Sequence, residues 1–244
     1  KGPEEIGQHG EFLILSFGRD KAISGITGGA VLSRRPSASQ ELRTLQHRLG
    51  DLPRHRIARL LLYPLLYALA RPLYGIGGIG KALLWICARL RLLLPILEKE
   101  EKAGRLSPLL HRMPEACAAL ALVQFERIEH LNNRRRALTA YYLEEGHKHG
   151  WPMLQGIRRD LPLQKFPIFV KNADRIRAAL KHRNIHLDDG WTGCVICPPS
   201  VKSAEFDYNP GTDPVAEEAA EKILSLPTHP TMTLRQARHL VYHL

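Results

Sequence analysis

The sequence predicts an α/β protein, and three patterns carry that prediction. Two short apolar runs flank a glycine-bearing turn within residues 12–33, which is typical of paired strands. Apolar residues recur every three or four positions from residue 114 to about residue 150, which indicates one long helix. Residues 163–170 then alternate like a strand, and residues 173–183 follow a helical pattern again. Both kinds of element therefore share one chain of 244 residues.

The first predicted strand ends in a loop that carries a lysine. Residues 12–15 are apolar, Ser16-Phe17-Gly18-Arg19-Asp20-Lys21 follows them, and residues 26–32 lead into the second strand. A neutral lysine amine can form a Schiff base with an aldehyde, and a nearby hydroxyl can donate to a phosphate oxygen. The segment thus predicts a covalent cofactor site at Lys21 and Ser16, although a solvated lysine in a surface hairpin fits the same residues.

Residues 37–107 form a basic segment between these strands and the long helix. Residues 37–56 are polar with helical character, and residues 57–97 consist of apolar runs punctuated by Lys and Arg. Positions 34 to 105 contain fourteen Lys or Arg and only five Asp or Glu, so most of the net charge of +11 lies here. The longest uncharged stretch of this segment has eleven residues, fewer than the ~18 that a helix needs to span a bilayer.

Two interpretations of residues 57–97 remain open from the sequence. Amphipathic helices, hinged at the glycines of residues 75–80, can pack on the rest of the protein or on a dimer partner. Alternatively, their arginines face anionic lipid head groups while Leu, Tyr and Trp enter the membrane interface. Nucleic-acid binding is not predicted, because the apolar runs do not suit a surface that follows phosphates.

The remaining C-terminal signals are a strand, a helix and a cysteine pair. Residues 185–187 predict a further strand, and the capping box Thr233-Leu234-Arg235-Gln236 predicts a last helix from Thr233 to His243. Cys194 and Cys197 lack further ligands at zinc spacing, so no metal is predicted. Four scattered cysteines form no disulfide framework, and a reducing cytoplasm is the predicted compartment.

Three segments together resemble a known family. They are the lysine loop, the run from Arg112-Met113-Pro114-Glu115 to Asn132-Asn133-Arg134-Arg135-Arg136, and Leu226-Pro227-Thr228-His229-Pro230 before the closing helix. In this order they resemble the DegT-type sugar aminotransferases, pyridoxal 5′-phosphate (PLP) enzymes of fold type I. The likeness covers residues 7–33 and 108–244. It implies the end of a large PLP-binding domain in residues 1–36, a helical insert in 37–107, and a linking helix with a small α+β domain in 108–244.

The resemblance also implies roles for individual residues. Lys21 would hold PLP and move a proton during the reaction, and Ser16 would contact the phosphate. Arg112 would reach the phosphate of the neighbouring subunit's PLP in a homodimer. Thr27 stands where many members carry glutamate, which puts a substrate contact there in doubt. The aspartate that faces the ring nitrogen in this family is expected upstream of residue 1.

The function that the resemblance implies is an amino-group transfer. The donor would be glutamate, and the acceptor a nucleotide- or lipid-linked keto-sugar of polysaccharide or envelope biosynthesis. A non-catalytic membrane-surface or scaffolding protein on the same fold is the alternative. A PLP-dependent sugar dehydratase fits less well, because those members replace the lysine by histidine and this chain has Lys21. The expected location is the cytoplasm, with contact to the inner face of the membrane if residues 57–97 bind lipid.

Overall fold

The computed structural model describes residues 9–95, 99–103, 105, 110–187, 192–198, 201 and 206–244. The chain divides into an N-terminal unit, residues 1–96 with 107–127, and a C-terminal unit, residues 97–106 with 128–244. Each unit combines helices with a two-stranded antiparallel sheet, so the mixed α/β class is confirmed. The three-part division at positions 36/37 and 107/108 stays a prediction.

The N-terminal unit begins with the two predicted strands. β1 (Phe12–Ser16) pairs with β2 (Gly29–Ser33), with Phe12 opposite Ser33 and Ser16 opposite Gly29. Gly29 permits this pairing at the loop end, because a Cβ there would collide with the carbonyl of Leu15. The sheet therefore places Ser16 at the end of a strand, directly before the lysine loop.

Helices follow along the basic segment. They are α1 (Pro36–Arg48), α2 (Arg54–Ala70), a 3₁₀ helix (Arg71–Gly75) and α3 (Ile79–Arg89). The polar helix predicted over residues 37–56 is shorter than expected, because Leu49 is already extended and Pro53 disfavours helical backbone at the residue before it. The predicted glycine hinge is confirmed, since Gly77 and Gly78 take left-handed φ angles of 54° and 77° between the two helices.

The prediction of one long helix from residue 114 to residue 150 is wrong, because the helix is interrupted. Two helices stand there, α5 (Glu115–Glu126) and α6 (Ile128–His149), after the short α4 (Lys99–Lys102). Arg127 leaves the helical region with φ −101° and ψ 14°, and its N–H donates to the carbonyls of Gln124 and Phe125 rather than four residues back. No Gly or Pro marks this position, so the sequence carried no break signal.

The C-terminal unit is built around its own sheet. β3 (Lys165–Phe169) pairs with β4 (Ile223–Pro227), and α7 (Ala173–Lys181), α8 (Pro214–Lys222) and α9 (Leu234–Tyr242) complete the set with α6. The strand predicted at residues 185–187 is wrong, because these residues join no sheet and β3 pairs instead with β4. A continuous core results, with members Leu138, Tyr142, Phe166, Ile168, Leu180, Leu187, Leu224, Leu226, Ala237 and Leu240.

The capping box at the last helix is confirmed. The Thr233 hydroxyl accepts from the Gln236 backbone N–H at 3.2 Å, and the Gln236 side chain accepts from the Thr233 N–H at 2.9 Å. Both bonds satisfy donors that the start of a helix would otherwise leave unpaired. Helix α9 thus begins and ends within one residue of its predicted bounds.

Candidate active site

The lysine loop is closed by backbone hydrogen bonds at the end of β1. The Phe17 N–H donates to Gly28 O and the Gly25 N–H to Phe17 O, each at 2.9 Å. Inside the loop, the Lys21 N–H donates to Gly18 O at 3.1 Å and makes a tight turn. These bonds fix where the side chains of the loop leave the backbone.

Ser16 and Lys21 are brought together around Gly18. A Cβ at Gly18 would lie 3.8 Å from the Ser16 Oγ, 3.7 Å from the Lys21 Cγ and 3.4 Å from the Asp20 Oδ1. Glycine therefore leaves a small cradle between a hydroxyl and a lysine side chain. Both side chains belong to exposed residues, so a ligand can reach them from solvent.

Asp20 is a member of this site that sequence reasoning missed. Its Oδ2 lies 3.0 Å from the Lys21 Nζ, and each side chain is 40% exposed. An ion pair this exposed is worth only about 0–1 kcal/mol, so it orients the amine without locking it. Its contact could have been predicted from its position directly before Lys21, because a carboxylate there can reach the amine.

The far side of the loop is fastened to α5 by Gln124. The Gln124 Oε1 accepts from the Ser24 N–H at 3.2 Å, and its Nε2 donates to the Ser24 carbonyl at 2.6 Å. One amide therefore satisfies both backbone groups of Ser24. The Ser24 hydroxyl in turn accepts from the Ile26 N–H at 3.1 Å.

Close packing adds to these bonds. A Cβ at Gly28 would lie 2.6 Å from the Met113 Cγ, and one at Gly25 would lie 2.6 Å from the Cys117 carbonyl oxygen. Between them, the buried Ile26 takes a φ of +74°, a conformation that strains a β-branched residue. The loop is thus held in one shape by its contacts with Met113 and α5.

A third attachment joins the loop to the basic segment. The Arg19 guanidinium lies over the Tyr63 ring of α2, 4.1 Å from the ring centroid, and donates to the Leu94 carbonyl at 3.1 Å. Burial lowers the pKa of Arg19 from its usual range, although the side chain remains a cation at neutral pH. Arg19 stands two positions before Lys21, so α2 helps to position the lysine turn.

Arg112 makes different contacts from the ones around Lys21. Its Nη2 pairs with the Asp51 Oδ1 at 2.8 Å, and its backbone N–H donates to Gly50 O at 3.0 Å. The side chain is 39% exposed. Its described contacts are with residues 50 and 51, whereas Ser16 and Lys21 meet around Gly18.

The cysteines form no site with other ligands in the described part of the chain. Burial raises the pKa of the Cys117 thiol, and burial followed by the nearby Cys197 raises that of Cys194. Both thiols are therefore poor nucleophiles at neutral pH. Among the residues that the structure describes, no group of three His, Cys, Asp or Glu side chains is placed to hold a metal ion.

One protein family matches most of this chain. The model of the family described as the DegT/DnrJ/EryC1/StrS aminotransferase family matches residues 99–244. The aminotransferases of that family depend on PLP. No protein with a curated description matches the chain.

Solved structures with a similar fold extend the match to nearly the whole chain. DesV of S. venezuelae, in complex with a ketimine intermediate, has a TM-score of 0.60 at 21% identity over 96% of this chain and 51% of its own. The putative sugar aminotransferase Spr1654 of Streptococcus pneumoniae, in its PMP form, has a TM-score of 0.61 at 16% identity over 96% and 52%. Helicobacter pylori PseC, an aminotransferase involved in the biosynthesis of pseudoaminic acid, has a TM-score of 0.55 at 16% identity over 96% and 52%. The chain thus spans about half the length of the structures it matches.

Proposed function

Because this chain belongs to the DegT/DnrJ/EryC1/StrS aminotransferase family, we propose that it is the C-terminal part of a PLP-dependent sugar aminotransferase. The observation that carries the proposal is the meeting of Ser16 and Lys21 around Gly18. A hydroxyl and a primary amine at one strand end match the two ends of PLP, a phosphate and an aldehyde. A scaffolding protein would have no need for this pairing.

The residues present fit the cofactor in two ways. The cradle at Gly18, which a Cβ would fill, leaves room beside the Ser16 Oγ for a phosphate oxygen. The Lys21 side chain starts from the same cradle, and its ion pair with Asp20 is exposed and weak enough to open. Bound PLP supplies a conjugated ring that takes up electrons from the substrate carbon.

The chain's own residues then have defined tasks. The Lys21 Nζ would hold the cofactor covalently, and as a free neutral amine it would take up a proton at one carbon atom and return it at another. The Ser16 hydroxyl would donate to the phosphate, and Asp20 lies close enough to pair with Lys21 whenever its amine is protonated. The bonds from Gln124 and the cation–π contact of Arg19 keep the turn in place while Lys21 moves.

Arg112 is proposed to act across a homodimer. Its ion pair with Asp51 is exposed, so the guanidinium can exchange that carboxylate for a phosphate at modest cost. A planar guanidinium suits a phosphate because it offers two parallel donors. The partner subunit's cofactor is the proposed ligand, as the resemblance to the family implies.

The proposed substrates follow from the family. Glutamate is the amino donor, and a keto-sugar linked to a nucleotide or a lipid is the acceptor, in a pathway that builds envelope polysaccharide. The similarity to a putative sugar aminotransferase and to an aminotransferase of pseudoaminic acid biosynthesis supports a sugar acceptor.

The decisive experiment uses the protein produced from its complete coding sequence. Borohydride reduction after PLP loading should leave a pyridoxyl group on the peptide that contains Lys21, and added glutamate should release one equivalent of 2-oxoglutarate per site. Lys21→Ala should abolish both results. Lys148→Ala, an exposed lysine of α6, is the matched control and should change neither. Labelling that persists in Lys21→Ala would refute the assignment.

The dimer role of Arg112 has its own test. Lys21→Ala and Arg112→Ala subunits are mixed, unfolded and refolded together. If Arg112 serves the partner's site, each mixed dimer regains one intact site and activity reappears. If Arg112 serves its own site, every site in the mixture lacks one residue and activity stays at the level of the separate variants.

A further inference from the structure

The segment formed by α2, the 3₁₀ helix and α3 exposes large apolar side chains. Trp85 is 67% exposed, and Leu65 and Leu69 are each 63% exposed. Further exposed residues of this α2–α3 segment and its end are Tyr67, Ile76, Ile79, Ile86, Leu90 and Leu92. So many apolar side chains close together along one segment indicate a surface that contacts something else.

The segment is nevertheless well anchored on its inner side. Leu60 of α2 packs in one buried cluster with Ile26 and Cys117, and Gly80 of α3 approaches the Ala70 carbonyl so closely that no Cβ would fit. Packing on the protein therefore accounts for part of the segment, as one of the two sequence interpretations expected. The exposed residues still present much of their apolar surface to solvent, Trp85, Leu65 and Leu69 most of all.

The charge of this segment indicates which kind of partner the surface binds. Residues 52–97 contain seven Lys or Arg and no Asp or Glu. On α3, Lys81, Trp85 and Arg89 are exposed and four residues apart, so they form one row along the helix. Long basic side chains beside a tryptophan are typical of helices that lie in a membrane interface, where the cation reaches the head groups and the indole sits below them.

We propose that the α2–α3 segment is a docking surface for an anionic phospholipid bilayer. It would lie on the membrane, since no helix in the described part of the chain is long and apolar enough to cross one. The apolar side chains would enter the interface, and the net positive charge of residues 52–97 would select anionic head groups. This inference goes beyond the proposed transfer reaction and does not depend on it.

The test is sedimentation with lipid vesicles, using the protein produced from its complete coding sequence. The chain should bind vesicles of phosphatidylcholine mixed with phosphatidylglycerol, should not bind pure phosphatidylcholine, and should dissociate as salt is raised. Replacing Arg71 and Arg89 by Gln should weaken the partition coefficient about thirtyfold, since each basic residue near such a surface contributes about 1 kcal/mol. The double variant Arg175→Gln and Arg235→Gln removes two exposed cations of the C-terminal unit and should have a much smaller effect.

A second pair of variants tests the apolar contribution. Trp85→Ser should reduce binding to anionic vesicles, whereas Tyr242→Ser, at another exposed aromatic residue, should not. The tryptophan emission of the unmodified chain should shift to the blue on binding, and Trp85→Phe should keep binding while losing most of that shift. Circular dichroism of every variant should show the same folded signal as the unmodified protein.

Several results would overturn the proposal. They are equal binding to neutral and anionic vesicles, no binding at low salt, and equal losses in both arginine double variants. Self-association that depends on Trp85 without vesicle binding would assign the surface to a second copy of the chain. Binding of duplex RNA with no effect of Trp85→Ser on any lipid interaction would assign the charge to nucleic acid.

Discussion

In the C-terminal unit, Tyr142, Phe166 and Leu224 are completely buried in one core to which α6, β3, α7, β4 and α9 contribute. In the N-terminal unit, the buried cluster is small, with Ile26, Leu60 and Cys117 at its centre. Strand residues there remain exposed, among them Ile14 at 75%. The candidate active site belongs to the open unit. The C-terminal unit is thus stabilised by a large buried core. In the N-terminal unit, the candidate site lies in a loop whose shape depends on hydrogen bonds and close contacts.

The largest expected effect comes from opening the closed core. Phe166→Ala should lower the free energy of unfolding of the C-terminal unit by about 3–5 kcal/mol, because it leaves a cavity beside Tyr142. Phe125→Ala is the matched control, because that ring is 56% exposed on α5 and its loss should cost far less. Chemical denaturation followed by circular dichroism measures both. Similar costs would mean that the two units do not differ in packing as described.

The next effect concerns the lysine loop. Gly28→Ala should destabilise the N-terminal unit through a left-handed φ of 89° and a clash with Met113. Gly78→Ala shares a left-handed φ, 77°, but meets nothing within 4 Å, so it measures the backbone cost alone. The difference between them should be about 1–3 kcal/mol in thermal or chemical unfolding. Adding Met113→Ala to Gly28→Ala should recover part of that difference; no recovery would show that the clash is not the cause.

A smaller effect is expected at the attachment of the loop to α2. Arg19→Gln loses the contact with the Tyr63 ring and the bond to the Leu94 carbonyl, and should cost about 1–2 kcal/mol of stability. Tyr63→Leu should lose the ring contact and the stacking on Tyr67 but keep the bond from Arg19 to the Leu94 carbonyl. In the complete enzyme, Arg19→Gln should also weaken PLP retention, which equilibrium dialysis measures. Unchanged retention in a folded variant would remove Arg19 from the positioning of Lys21.

The smallest effect depends on pH and lies on the surface of the closed unit. The Tyr208 hydroxyl and the Gly211 N–H both donate to Glu217 at 2.7 Å, so they lower the pKa of that carboxyl, while the same bond raises the pKa of Tyr208 to about 12. A lowered carboxyl pKa contributes stability above the unfolded value of about 4.3, which is lost as the pH falls through the folded value.

Tyr208→Phe should therefore be slightly less stable than the unmodified chain at neutral pH, and the gap should close in acid. Carbon NMR of the Glu217 carboxyl should show its titration midpoint rise in Tyr208→Phe. Tyr242→Phe removes a hydroxyl that is not bonded to Glu217 and should leave the midpoint in place. A midpoint that does not move in Tyr208→Phe would mean that the hydrogen bond is absent in solution.

The sequence predicted those elements that are determined by contacts between residues close together in the chain. The capping box at Thr233 set the start of α9, and the apolar alternation around residue 166 set β3. The strand pair on either side of Lys21 was equally visible from its apolar runs and glycine turn. In each case the decisive contacts join residues that are close in sequence or repeat with a fixed period.

Elements decided by distant contacts were missed. β4 was not predicted because its pairing partner, β3, lies more than fifty residues earlier. The break at Arg127 was missed because no Gly or Pro stands there. Within the site, Ser16 and Lys21 followed from the motif, but the fastening by Gln124 and Arg19 did not. Those partners are polar side chains whose role becomes visible only when the chain has folded.

The bonds between Ser24 and Gln124 join two points that are 100 residues apart in the sequence. The lysine turn and α5 are therefore connected directly, in addition to the contacts that Arg19 makes with Tyr63 and Leu94. Closing a flexible loop costs only about 0.6 kcal/mol more for each doubling of its length. Because the bonds to Gln124 do not depend on the length of the chain between the two points, an insertion after β2 can lengthen that stretch while the turn keeps its attachment to α5.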